Sequence, residues 1–238
     1  MKKFQLILLG LGLICWANPM RAQHGHLNAG ALGTNQGDAL MFVNGADFAA
    51  SSGYVKVLNP ALTGPYAGYF EGGITPTAVH SLSGTDGNGI PYVANPNGAA
   101  LGSFLEMAIV SVEGPAGGGF QFWEDEAEVP TLSYSVGYST TAPTDLIVLS
   151  DASSGAGTPG GDPYGHLHGR RFSTSTEGSY TVGFQLFDTS ANGVGGGPLQ
   201  SPSDILYIRF DAVPEPGTVA LGAMGATAVA WLIRRRQI

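Results

Sequence analysis

Four of the five histidines in this chain form two His-X-His pairs, His24-Gly25-His26 and His166-Leu167-His168. In an extended backbone, residues i and i+2 project from the same face. Each pair can therefore aim two imidazoles at one point. Neutral imidazole is a good ligand for Zn²⁺, Cu²⁺ and Ni²⁺, with metal–nitrogen bonds of about 2 Å. Two ligands on one strand need one or two more from elsewhere. The spacing thus predicts a metal site at His166 and His168, with His24 and His26 as the natural complement. His80, Asp162 and Glu124, the last from the acidic run Glu124-Asp125-Glu126, are possible additional ligands. One shared four-nitrogen site, or two weak sites that bridge molecules, are both compatible with the pattern.

Other chemistries find little support. The only cysteine, Cys15, lies in an apolar run near the N-terminus. There is no Gly-x-Ser-x-Gly elbow, no His-Glu-x-x-His and no phosphate-binding loop. Thr85-Asp86-Gly87-Asn88-Gly89 resembles part of a calcium loop but lacks its remaining carboxylates, and reads as a turn. The expectation is a non-enzymatic protein.

The elements that must position the histidines read as β-structure. Short β-rich runs alternate with Gly, Pro, Asn and Asp turns, and helix periodicity is scarce. Predicted strands are Ala39–Val43, Gly53–Leu58, Tyr66–Glu71, Thr77–Ser81, Phe104–Val112, Phe120–Trp123, Thr131–Gly137, Asp145–Leu149, Ser179–Asp188 and Ile205–Phe210. This spacing predicts an all-β fold, an antiparallel β-sandwich of immunoglobulin-like or jelly-roll type, without a disulfide. Arg170 and Arg171 should alternate faces, one paired with an acid and the other in solvent.

Both ends differ from this middle. Met1–Ala22 has a basic start and an apolar run to Trp16, and reads as a signal peptide. Residues 23–212 form one domain. Residues 213–238 open with Val213-Pro214-Glu215-Pro216-Gly217, continue with an apolar stretch to Ile233 and end in Arg234-Arg235-Arg236. The stretch suits a short transmembrane helix with its arginines on the cytoplasmic side. Between the ends, four basic residues face seventeen acidic ones, a net charge of −13 over 23–213. Such a surface disfavours nucleic acid and is compatible with cations.

The C-terminal pattern, with Pro214, Glu215 and Pro216 at its head, resembles the PEP-CTERM sorting signal of exported bacterial proteins. That resemblance implies an exosortase-type processing protease as partner, transient membrane anchoring through the C-terminal helix, and a final place in the cell envelope or at the extracellular surface. Gly102–Glu106, Val112–Pro115, Phe120–Glu124 and Asp162–Phe172 further resemble the PEP-CTERM family repressed by the zinc-uptake regulator, and repeats of actinobacterial surface-anchored proteins linked to metal transport. This implies Zn²⁺ as the metal and zinc scavenging or handling under zinc limitation as the role, with a zinc-uptake system as partner. The alternative is a structural or adhesive matrix protein associated with exopolysaccharide, with Tyr66, Tyr69, Phe70 and Trp123 as candidate sugar-stacking residues.

Overall fold

The computed structural model describes residues 25–214. The expected signal peptide, His24, Glu215, Pro216 and the expected transmembrane segment lie outside the described residues. Among the described residues no helix is long and apolar enough to cross a membrane.

The fold is built almost wholly of strands, in chain order β1 (His26–Ala31), β2 (Leu40–Phe42), β3 (Val55–Pro60), β4 (Phe70–Gly72), β5 (Thr75–Ala78), β6 (Gly84–Thr85), β7 (Pro91–Tyr92), β8 (Leu105–Glu113), β9 (Gly119–Trp123), β10 (Leu132–Ser135), β11 (Ile147–Val148), β12 (Gly165–His166), β13 (Arg171–Thr174), β14 (Gly178–Asp188) and β15 (Leu206–Ala212). One short helix, α1 (Gly45–Phe48), follows β2.

The strands form a nine-stranded sheet in the order β10-β9-β13-β4-β3-β15-β14-β8-β11, a four-stranded sheet β12-β5-β1-β2 and a small hairpin β6-β7. The large sheet curls on itself at β3. Val55–Leu58 of that strand pair with β15, while Asn59 and Pro60 pair with β4. Phe120 on β9 and Phe210 on β15 stand four strand positions apart, about 19 Å in a flat sheet at the usual spacing. Their ring centroids are 4.8 Å apart. The two halves of the sheet therefore face one another, joined by Phe120, Phe122 and Phe172 from one side and Tyr180, Phe184 and Phe210 from the other. The small sheet adds Leu27, Ala29, Ala31, Leu40, Phe42 and Ala78 to the same apolar cluster.

The all-β expectation matches this architecture. The wholly antiparallel expectation needs correction, because β1 pairs with β5 and β3 with β15 in parallel. Parallel neighbours need long crossovers, and the chain supplies them by visiting other strands between each pair. The predicted strand at Tyr66–Glu71 begins only at Phe70. Its first half turns through Gly68 at φ +87°. The predicted Thr77–Ser81 strand instead starts at Thr75 and ends at Ala78.

Phe172 lies at the centre of the aromatic layer, touching the rings of Phe120, Phe122, Phe184 and Phe210. Its replacement by alanine leaves a cavity between the facing halves. Urea unfolding should show Phe172→Ala destabilised by about 3–5 kcal/mol; a loss under about 1 kcal/mol would mean that the halves do not pack through this residue.

Candidate metal centre

β5 lies between β1 and β12, and that placement assembles the site. His26 is opposite Thr75 in the parallel β1–β5 register, and His166 is opposite Thr77 in the antiparallel β5–β12 register. Directly opposed residues share a face, as do residues two apart on one strand. His26, Thr75, Thr77 and His166 therefore rise from one face of the small sheet. The alternate residues Leu27, Ala29 and Ala78 enter the core on the other. Two imidazoles 140 positions apart in the chain meet with ring centroids 4.7 Å apart, in an edge-to-face arrangement. His168 completes the group, at 4.2 Å from His166 and 6.1 Å from His26.

Each ring is held by identifiable contacts. β2 ends at Phe42, so the first residues of β1 have no strand on that side. The side chain of Asn44 takes its place: its Nδ2 donates to the His26 carbonyl at 2.8 Å, and its Oδ1 accepts from Asn28 N at 2.8 Å. The His26 ring reaches across β5, with Nδ1 3.3 Å from Thr77 Oγ1. Gly165, just before His166, lies so close to the Leu149 carbonyl that a side chain has no space there. Gly169, just after His168, turns the chain at φ +86° against the Asp125 carboxylate.

Arg170 anchors the downstream end. It is 5% exposed. Its Nε and Nη2 meet the two Glu124 oxygens at 2.6 and 3.0 Å, its Nη1 donates to the Val148 carbonyl, and its guanidinium lies 5.8 Å from the Phe122 ring centre. A bidentate pair of this kind fixes direction as well as distance. Arg171 pairs with Glu71 at 3.6 Å. Both arginines therefore have an acidic neighbour, Arg170 in the interior and Arg171 partly in solvent.

At His166 the surroundings favour the neutral imidazole. His166 Nε2 is buried without a hydrogen-bond partner. Burial, and then the neighbouring His168 and His26, push the His166 pKa below the ordinary imidazole value. A nitrogen that is buried, unpaired and disinclined to take a proton has the electronic character of a metal ligand. Among the described residues, however, no group of three or more His, Cys, Asp or Glu side chains is already arranged to hold an ion. The three rings are adjacent, and ligation requires them to rotate about their side-chain bonds. His168, the exposed member, has the most room to do so.

The other predicted ligands are placed elsewhere. His80 is stacked between Tyr92 and Tyr164, at 3.7 and 3.5 Å, with Nδ1 3.1 Å from Asp162 Oδ2. Asp162 also accepts from the backbone N–H of Ser81 at 2.9 Å and of Leu82 at 3.4 Å. It ties the approach to β12 onto the chain leaving β5. Glu124 is taken by Arg170. His24 lies outside the described residues. Trp123 is 1% exposed, covered edge-on by Tyr66 and Tyr69, and donates to Ser173 Oγ at 2.7 Å. Thr77 and Asn44 were not singled out from the sequence. Their roles depend on strand pairing, for which a lone Thr or Asn gives no signal.

The family model described as the PEP-CTERM protein-sorting motif matches residues 212–236. It marks the chain as a protein exported to the cell envelope or surface. No curated protein matches the chain significantly. No solved structure does so either.

The lowered His166 pKa has a consequence for folding. Unfolded imidazole titrates at about 6.5. As the pH falls through that value the unfolded chain takes up a proton that folded His166 resists, so stability present above it is lost below it. Metal-free protein should be less stable at about pH 5.5 than at about pH 7.5, with a smaller step in His166→Gln. Denaturant midpoints at the two pH values test this; equal steps in both proteins would show that His166 is not the group responsible.

Proposed function

We propose that this chain is an exported, non-enzymatic cell-envelope protein that binds zinc, or a similar divalent transition metal, through His26, His166 and His168. Its role is zinc scavenging or handling when zinc is scarce. The observation that carries the reading is the meeting of three imidazoles from two distant segments, with a buried and unpaired Nε2 among them. An all-imidazole donor set suits zinc and its neighbours rather than calcium or magnesium, which prefer oxygen. The two carboxylates singled out from the sequence as additional ligands, Asp162 and Glu124, are committed to other partners. His24 is two residues before His26 in the sequence and is the proposed fourth ligand.

Export fits this role. The sorting motif brings the protein to the envelope. Cleavage by an exosortase-type protease, after transient anchoring, would release the acidic domain there. Its net charge of −13 raises the local concentration of cations, an effect that salt weakens. A zinc-uptake system is the natural recipient of the metal. The matrix alternative gains less support, because Trp123, the largest of its candidate stacking residues, is buried.

The test is a calorimetric titration of the metal-stripped full chain with Zn²⁺ in detergent, beside His166→Ala/His168→Ala and His24→Ala. One-to-one binding with Kd about micromolar or tighter, abolished in the double variant, is expected. His24→Ala should weaken it. Wild-type binding no tighter than about millimolar would remove the metal reading and leave the matrix role first.

A further inference from the structure

The contact between His26 and Thr77 determines which nitrogen of His26 is available. We infer that Thr77 is a positioning residue that holds His26 in its Nδ1–H tautomer, so that Nε2 presents a free lone pair beside His166. The argument rests on the single proton of a hydroxyl group. Thr77 Oγ1 is 3.2 Å from the Thr75 carbonyl oxygen and 3.3 Å from His26 Nδ1. A carbonyl can only accept, so for both contacts to be hydrogen bonds the hydroxyl proton must go to Thr75. The oxygen then has lone pairs but no proton for the imidazole. The contact with His26 is a hydrogen bond only if Nδ1–H is the donor. A neutral ring protonated at Nδ1 is unprotonated at Nε2.

The strand register makes this arrangement robust. Thr75 and Thr77 are two apart on β5 and share a face. Both are buried, so neither oxygen has free access to water as a substitute partner. Thr77 also stands directly opposite His166 in the β5–β12 pairing. One hydroxyl thus lies between the strands that bring the two histidines together. The competing arrangement turns the hydroxyl proton towards Nδ1, which would put the ring proton on Nε2 and leave no donor there for a metal.

Consequences for affinity rest on the zinc reading above, whereas the tautomer itself does not. Long-range ¹H–¹⁵N correlation spectra of the metal-free full chain distinguish the two neutral imidazole tautomers directly. Wild type and Thr77→Ser should show His26 protonated at Nδ1, and Thr77→Val should shift towards the Nε2–H form. Zinc affinity should fall about tenfold or more in Thr77→Val and recover in Thr77→Ser. An Nε2–H tautomer in wild type, or an unchanged His26 signature in a folded Thr77→Val, would overturn the inference. If Thr77→Val does not fold, the wild-type tautomer alone decides. The expected tautomer in a wild-type protein that binds no zinc would leave the role of Thr77 standing and overturn the metal reading instead.

Discussion

The pairing of β5 with two strands from distant parts of the chain is the constraint on which the site depends. β5 has only four residues, Thr75–Ala78, and all four are buried. One edge takes β1 in parallel and the other takes β12 in antiparallel register. The entropic cost of closing such long loops grows only slowly with their length, so the obstacle to this arrangement is specifying it rather than affording the separation. Specification comes from alternation. A one-residue slip of β1 would carry Leu27 and Ala29 out of the core and His26 into it. The apolar residues of β1 therefore fix the histidine that alternates with them.

The same alternation explains how a polar face is tolerated close to a dense aromatic layer. The inner face of the small sheet joins the cluster that contains Phe120, Phe172 and Phe210. Its outer face carries His26, Thr75, Thr77 and His166. Thr75 and Thr77 are buried on that face, but their hydroxyl and carbonyl groups form a local chain of donors and acceptors with His26. His166 Nε2 is the exception, buried without a partner. Six other buried side-chain oxygens among the described residues also lack hydrogen-bond partners, so the meaning of this orphan comes from where it stands. That it should stand in a cluster of three imidazoles gives it a chemical meaning that an isolated orphan would lack.

The long strands were legible because their residues declare them. Phe104–Val112 and Ser179–Asp188 contain β-branched and aromatic residues in the density that buried strands require, and they became β8 and β14 within a residue of their expected limits. β1 and β12 were not predicted as strands. His26-Leu27-Asn28-Ala29-Gly30-Ala31 has one large apolar side chain and weak intrinsic β-propensity. β12 is two residues long. Tertiary pairing, not local preference, makes these segments extended. The closeness of the His166 and His168 rings, 4.2 Å apart, was legible from their spacing, although β12 itself ends at His166. Which of the other histidines would join them was only half legible: His26 does, whereas His80 is held between two tyrosines.

The acidic residues show why composition alone could not define the site. A domain with seventeen carboxylates offers many oxygen ligands, and two of them were reasonable choices. Yet Asp162 accepts from His80 and from backbone N–H groups, and Glu124 is held in a bidentate pair by a buried arginine. Both serve to hold the segment 162–170 in place, one at each end, with His166 and His168 between them. Removing a charged partner from a buried arginine is costly, so Glu124 is not free to turn towards an ion without loosening the loop that presents His168. The carboxylates thus act on the histidine cluster from outside it. They fix the backbone on either side of it.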